Sequence, residues 1–325
     1  MSPTEGRAII TGGAGFIGSH VLDRLASTGW YVKVIDNFST GSFENLKSHR
    51  GNPKINVKKM DLKEVTKKDV EGFEVVFHYA ANPEVRVSTI NPEIHFKENI
   101  VATFRLLEAL RRSDVKEIIF ASSSSVYGEP DKIPIDEGAP LRPVSVYGAS
   151  KVACENLIHA YSKLYGIKAV ILRYANVVGP RLRHGVIWDF VNKLKKNSRE
   201  LEILGDGKQV RSYVYIDDAV EATMIAWKKG NGHFEVYNVA SEDWITVDDV
   251  ADEVARAMGL RGVRKVYRPM LHGVGWPGDV KRIALRIDKL KALGFKPRYN
   301  SREAVRLTAG ALFGQGSRSA KGNRA

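Results

Sequence analysis

Tyr147 and Lys151 stand four residues apart in the segment YGASK, so a helix places both side chains on one face. Such pairs are common decoration of helix surfaces; as chemistry they become a base and its cationic partner. Holding a phenol of ordinary pKa ~10 ionised at pH 7 takes roughly 4 kcal/mol. One cation about 4 Å away supplies roughly that at an effective dielectric of 20. Upstream, Ser122, Ser123, Ser124 and Ser125 follow the apolar run EIIFA. A serine cluster after a strand reads as a turn, or, at the carboxyl end of a parallel strand where ligands bind, as hydroxyls that grip a sugar oxygen beside the base.

A second group lies near the N-terminus. In TGGAGFIGSH, Gly12, Gly15 and Gly18 recur every three residues directly after Ala8-Ile9-Ile10. Glycine triplets serve tight turns and close packing. Between a strand and a helix they also let a pyrophosphate approach the backbone at the helix N-terminus, where amide donors and the positive dipole end meet it. Asp36 follows the next strand, Tyr31 to Ile35, where a carboxylate accepts both hydroxyls of an adenosine ribose and repels a 2′-phosphate. That pairing of loop and acid predicts NAD rather than NADP; a turn or capping role is the other reading of Asp36.

The elements that must carry these residues alternate in the first half: RAIIT, a helix from Phe16 to Ser27, YVKVID, INVKKM, EVVFHYAA, a helix near Ile94 to Arg112, and EIIFASS. This order predicts parallel strands joined by crossover helices, an α/β doubly wound sheet of Rossmann type. A long helix is expected from Ser145 to Tyr165, ended by Gly166, and AVILRYAN reads as another buried strand. The second half is less regular, with a turn at Gly205-Asp206-Gly207 and helices at Ile216 to Lys229 and Val247 to Met258. We expect a cofactor-binding domain over 1–175 that includes the serine and the Tyr/Lys pair. A smaller mixed α/β substrate lobe is expected over 176–312, with some chain crossing back, and a basic, flexible tail over 313–325.

Composition narrows the class. The 325 residues are 43 % hydrophobic and 27 % charged, enough for a substantial core. No apolar stretch reaches the ~18 residues that span a bilayer, which predicts a cytoplasmic protein without a membrane partner. The single cysteine, Cys154, and eight scattered histidines carry no metal-ligand spacing, so no metal is expected. The net charge of +13 invites a nucleic-acid reading, but residues 285–325 hold ten Lys or Arg against two Asp or Glu, so 10 − 2 = +8 of it sits at one end. Without aromatic-basic interleaving this is a solvated basic surface, and no nucleic-acid partner is expected.

With GGAGFIG, Asp36, ASSSSVYG and YGASK in order, and LRYANVVGP, GDGKQVRSYVYIDD and GWPGDV in the second half, the chain resembles the extended short-chain dehydrogenase/reductase family over most of its length to about residue 310. Within it the chain is most similar to NAD-dependent nucleotide-sugar epimerases. The resemblance implies that Gly12, Gly15, Phe16, Ile17 and Gly18 form the pyrophosphate loop and that Asp36 and Asn37 hold the ribose. It implies that Asp61 and Leu62 lie along the adenine, that Tyr79, Ala80 and Ala81 border the cofactor, and that Asn99, Ser122 and Tyr174 contact it. Ser123, Tyr147 and Lys151 match the catalytic set, with Ser124 and Ser125 beside the sugar. Asn176, Arg211 and Asp279 match contacts to the substrate, Arg211 as the diphosphate clamp.

The chain departs from the family's pattern at Trp276-Pro277-Gly278-Asp279, where many relatives carry Arg-x-Gly-Asp. Ser124 and Ser125 stand where 4,6-dehydratases carry Asp-Glu, so the dehydration chemistry is missing. The implied activity is interconversion of UDP-glucose and UDP-galactose at C4 through transient oxidation by tightly held NAD, in a homodimer paired through the two long helices. A decarboxylase or reductase acting on nucleotide sugars, and a cofactor-binding regulatory protein without turnover, are the alternatives.

Overall fold

The computed structural model describes residues 6–322. Strands β1 (Arg7–Thr11), β2 (Tyr31–Asp36), β3 (Ile55–Lys59), β4 (Val75–His78), β5 (Glu117–Ser123), β6 (Lys168–Tyr174) and β11 (Phe234–Val239) form one sheet in the order β11-β6-β5-β4-β1-β2-β3. Every pairing in it is parallel. Its central strands read as near-continuous β-branched and aromatic runs because helices cover both faces. Val76, Phe77, Ile118, Ile119, Val170 and Ile171 are all buried.

Helix α1 (Phe16–Ser27) has the bounds its sequence predicts, then α2 (Lys67–Val70) follows. The single helix expected near Ile94 to Arg112 is instead three joined pieces: α3 (Glu93–His95), a π-helical stretch (Phe96–Val101) and α4 (Ala102–Leu110). The wider π turn carries Asn99 inward, where its ends bond Asn82 N and Ser150 Oγ, and an irregular turn of this kind leaves no trace in a 3.6-residue pattern. Helix α5 (Val146–Tyr165) starts where Ser145 Oγ accepts from the Gly148 amide and stops at Gly166, φ 71°.

The second half supplies β7 (Asn176–Val178), α6 (Gly185–Lys196), β8 (Glu200–Leu204), β9 (Val210–Arg211), β10 (Tyr213–Tyr215), α7 (Ile216–Lys229), β12 (Ile245–Thr246), α8 (Val247–Ala257), β13 (Arg264–Arg268), β14 (Arg282–Ile283), α9 (Asp288–Ala292) and α10 (Ser301–Gly322). Three small sheets, β10-β7, β12-β9-β14 and β13-β8, are built from these short strands. A separate apolar cluster with Ile187, Phe190, Ile203, Val250, Val254 and Val305 packs α6, α8 and α10 together. Between these parts the chain returns to the main sheet: β11 pairs with β6 from Phe234↔Ala169 to Val239↔Tyr174. Of the segment expected to be a flexible tail, the backbone through Gly322 is helical; 323–325 lie outside the described residues. No helix among the described residues is long and apolar enough to cross a membrane.

Candidate active site

A cavity of about 820 Å³ runs along the carboxyl ends of the sheet strands and under the second half. The glycine loop forms one end. Gly12 has φ 69° and lies so close to the next strand that a Cβ there would meet Ala80 N at 2.6 Å. A Cβ on Gly18 would meet Gly12 O at 2.4 Å, which is why α1 can start tight against the loop. On Gly15 a Cβ would find only Gly12 O, at 3.1 Å, so that position opens to the cavity. No side chain caps the start of α1 and its first turn holds no acid. Its amides and positive dipole end are therefore free to meet an anion, the arrangement a dinucleotide pyrophosphate fits.

Asp36 is buried, and its carboxylate is already used: Oδ2 accepts from Ala14 N at 2.9 Å and Oδ1 from Phe38 N at 2.8 Å. Burial pushes its pKa up, opposed by those two amides. Each oxygen keeps a further lone pair, so one residue both pins the glycine loop and lines the cavity. Asn37 holds Ser39 N at 3.0 Å, and Asp61 bonds Lys63 N at 2.9 Å ahead of Leu62. Tyr79 and Tyr174 join hydroxyls at 3.1 Å, and Tyr174 meets Thr223 Oγ1 at 2.6 Å.

At the middle of the cavity, α5 meets the end of β5. A Cβ on Gly148 would meet Ser125 O at 2.6 Å, so the glycine of YGASK is what lets the helix lie against the serine cluster. Tyr147 is hydrogen-bonded to Ser123, whose Oγ donates to Ser125 Oγ at 3.0 Å. Lys151 is buried; its Nζ donates to Ala121 O at 2.8 Å and lies 5.8 Å from the centre of the Tyr147 ring. Burial pushes Tyr147 up to about 12, opposed by the Ser123 bond, and pushes Lys151 down to about 8. Within the protein alone desolvation sets the direction of both shifts, and the Lys151 ammonium is held by a backbone carbonyl.

At the far end, Arg211 bonds Asp279 Oδ1 at 2.7 Å, Val210 O at 2.8 Å, Lys281 O at 3.3 Å and Val280 O. The expected phosphate clamp thus straps the 275–281 segment over the cavity. Asn176 Nδ2 donates to Ser212 O at 3.3 Å. Of the residues singled out from sequence, Gly12, Gly15, Phe16, Ile17, Gly18, Asp36, Asn37, Asp61, Leu62, Tyr79, Ala80, Ala81, Ser122, Ser123, Ser124, Ser125, Tyr147, Lys151, Tyr174, Asn176, Arg211 and Asp279 line this one cavity. Asn99 does not; it supports the Asn82 loop from behind.

Two neighbours of the site escape sequence reading. Glu155, one turn beyond Lys151, accepts from Ser122 Oγ and pairs with Arg173. Its i,i+4 spacing from Lys151 is the one local signal. His95 is buried with its ring edge-on to Tyr147, centres 5.6 Å apart, and neither ring nitrogen has a partner. Burial and then the Lys151 charge push it down, so the ring is neutral; a lone histidine in a helical pattern gave no warning of this.

A doubly wound parallel sheet, an uncapped glycine-loop helix and Ser123, Tyr147 and Lys151 at the strand ends meet at one cavity, the arrangement of the dinucleotide-dependent class. The chain belongs to the NAD dependent epimerase/dehydratase family, whose sequence profile matches residues 8–240. It is 39 % identical to a putative UDP-glucose 4-epimerase of Methanocaldococcus jannaschii, over 92 % of this chain and 95 % of that one. A crystal structure of a UDP-galactose 4-epimerase is similar at TM-score 0.83 and 45 % identity, covering 95 % of this chain and 99 % of the other. The UDP-glucuronic acid 4-epimerase of Bacillus cereus, solved with UDP-glucuronic acid and NAD, superposes at TM-score 0.87 with 29 % identity, covering 95 % and 99 %.

Proposed function

We propose that this protein is a nucleotide-sugar 4-epimerase that interconverts UDP-glucose and UDP-galactose. The observation that carries the reading is the state of the carboxylates. Six line the cavity, and each is committed: Asp36 to Ala14 and Phe38, Asp61 and Glu98 to Lys63, Glu84 to Arg86, Asp189 to Lys193, Asp279 to Arg211. The reacting end instead holds the hydroxyls of Ser123, Ser124 and Ser125, a phenol and an ammonium. Such a set moves one proton on and off an alcohol; no free acid and base stand ready to eliminate water from a keto sugar.

Tyr147 takes the proton of the sugar 4-hydroxyl, with Ser123 bonded to the same oxygen. Lys151 and the positive nicotinamide together lower the phenol from the high value that burial imposes. NAD, when bound, supplies the hydride acceptor for C4 and the donor that restores it. Tyr147 then returns its proton to the 4-oxygen, so the protein ends each cycle unchanged. Asp36 selects the unphosphorylated ribose, and the 204–211 and 275–280 segments enclose the nucleotide. Ile90, Phe96 and Phe104 near α3 and α4, and Leu164 and Tyr165 at the end of α5, are exposed, and we assign them to a homodimer contact, which sedimentation measures.

The test is turnover. Given UDP-glucose or UDP-galactose with catalytic NAD, the protein should bring both to one mixture without net NADH. Net NADH with a ketosugar when NAD is in excess, or loss of CO2 from UDP-glucuronic acid, would transfer the assignment to the decarboxylase or reductase reading, and bound NAD without turnover to a regulatory one.

A further inference from the structure

The far end of the cavity holds a buried polar atom that nothing in the protein satisfies. Gln209, 2 % exposed, lines the cavity, and its Oε1 has no hydrogen-bond partner. The orientation of the amide is fixed. Nε2 donates to Leu204 O at 3.1 Å, and a flipped amide would set oxygen against oxygen there. The group lies directly across Gly205, where a Cβ would meet Nε2 at 1.8 Å, so glycine is required for the amide to sit so low. Trp276 lines the same wall, brought there by Gly275, whose Cβ position is 3.0 Å from Leu204 O.

Buried amide oxygens of this kind are nearly always paired, and an orphan calls for a donor from elsewhere. With the cofactor's adenosine at Asp36 and the reacting sugar at Tyr147, the end walled by Leu204, Gln209 and Trp276 is left for the substrate's own base. Resting on the nucleotide-sugar reading above, we infer that Gln209 reads the base: its Oε1 accepts the N3–H of uracil, the only ring N–H that base has. The second Nε2 hydrogen is free to donate to a flanking base carbonyl, so one amide edge matches one lactam edge. Arg211, strapped to Asp279, holds this wall in place rather than choosing the base.

Calorimetric titration of the NAD-bound full-length protein with UDP and 3-methyl-UDP tests this, because the methyl group removes only that donor. The unaltered protein should prefer UDP by about 10- to 100-fold. Gln209→Ala should lose a similar factor for UDP and bind both ligands within about threefold, since its smaller side chain also makes room for the methyl. Gln209→Met fills similar space without an acceptor and should likewise bind both ligands within about threefold, which guards against a misfolded alanine variant. Equal binding of the two ligands by the unaltered protein, or a preference that survives Gln209→Ala, would overturn the inference while leaving UDP-sugars as substrates. Failure of UDP, GDP, CDP and ADP all to bind would overturn the nucleotide-sugar reading, and this inference with it.

Discussion

Arg173 and Glu155 form a buried ion pair, 2.7 Å apart and 6 % and 4 % exposed, directly beneath the serine cluster. Glu155 also accepts from Ser122 Oγ, while Arg173 reaches Tyr127 OH at 3.0 Å and Glu137 O at 3.0 Å. The pair thus ties the end of β5, the helix of Tyr147 and the loop after Tyr127 into one polar unit.

Breaking that pair on one side leaves an uncompensated buried charge. Glu155→Ala should destabilise the fold by about 3 to 5 kcal/mol, whereas Glu155→Leu with Arg173→Met should recover much of the loss. Urea unfolding of the three proteins measures this, and a single variant as stable as the original would exclude the account.

Tyr147→Phe keeps the ring packed against His95 and removes only the hydroxyl. Turnover should fall by about 10² to 10⁴-fold with NAD affinity nearly unchanged. Single-turnover kinetics with either UDP-hexose checks it; a variant slowed less than tenfold would mean that another group takes the proton.

Lys151 titrates at about 8 in the fold against an ordinary 10.5. Between those values the unfolded chain binds a proton that the folded one does not, so stability rises with pH across the window. Measured against Lys151→Met, the native protein should gain up to about 3 kcal/mol between pH 8 and pH 10.5. Parallel stability curves for the two proteins would place the lysine's pKa at its ordinary value.

The buried Asp36 carboxylate is fixed by two amides, and in the function proposed above it meets any 2′-substituent of the cofactor. NADP should therefore bind at least about 100-fold more weakly than NAD at physiological salt, and Asp36→Asn should narrow the gap. Fluorescence titration with both cofactors decides, and equal dissociation constants for the native protein would remove Asp36 from its role.

The parts of this site legible in the sequence are those set by neighbours in the chain. Gly12, Gly15 and Gly18 announce a loop, Phe16–Ser27 a helix and YGASK a shared face, because sterics and periodicity act within a few residues. What stayed hidden depends on partners far away. Arg211 is tied to Asp279, 68 positions on; Arg173 reaches back to Glu155; Asn99 turns inward on a π turn. The high value of Tyr147 is likewise a property of burial, which no i,i+4 spacing records.

The return of β11 to β6 has a meaning for the nascent chain. Val239 pairs with Tyr174, so the sheet is completed only after 65 further residues have been made, 239 − 174. At about 5 to 20 residues per second, the β6 edge waits roughly 3 to 13 s for its partner to be made. During that interval the free edge of Ala169, Val170, Ile171 and Leu172, paired only to β5, is open to any other strand nearby. Synthesis itself, rather than the finished molecule, is when this protein is most exposed to mispairing, and slower translation across 175–239 would lengthen the risk.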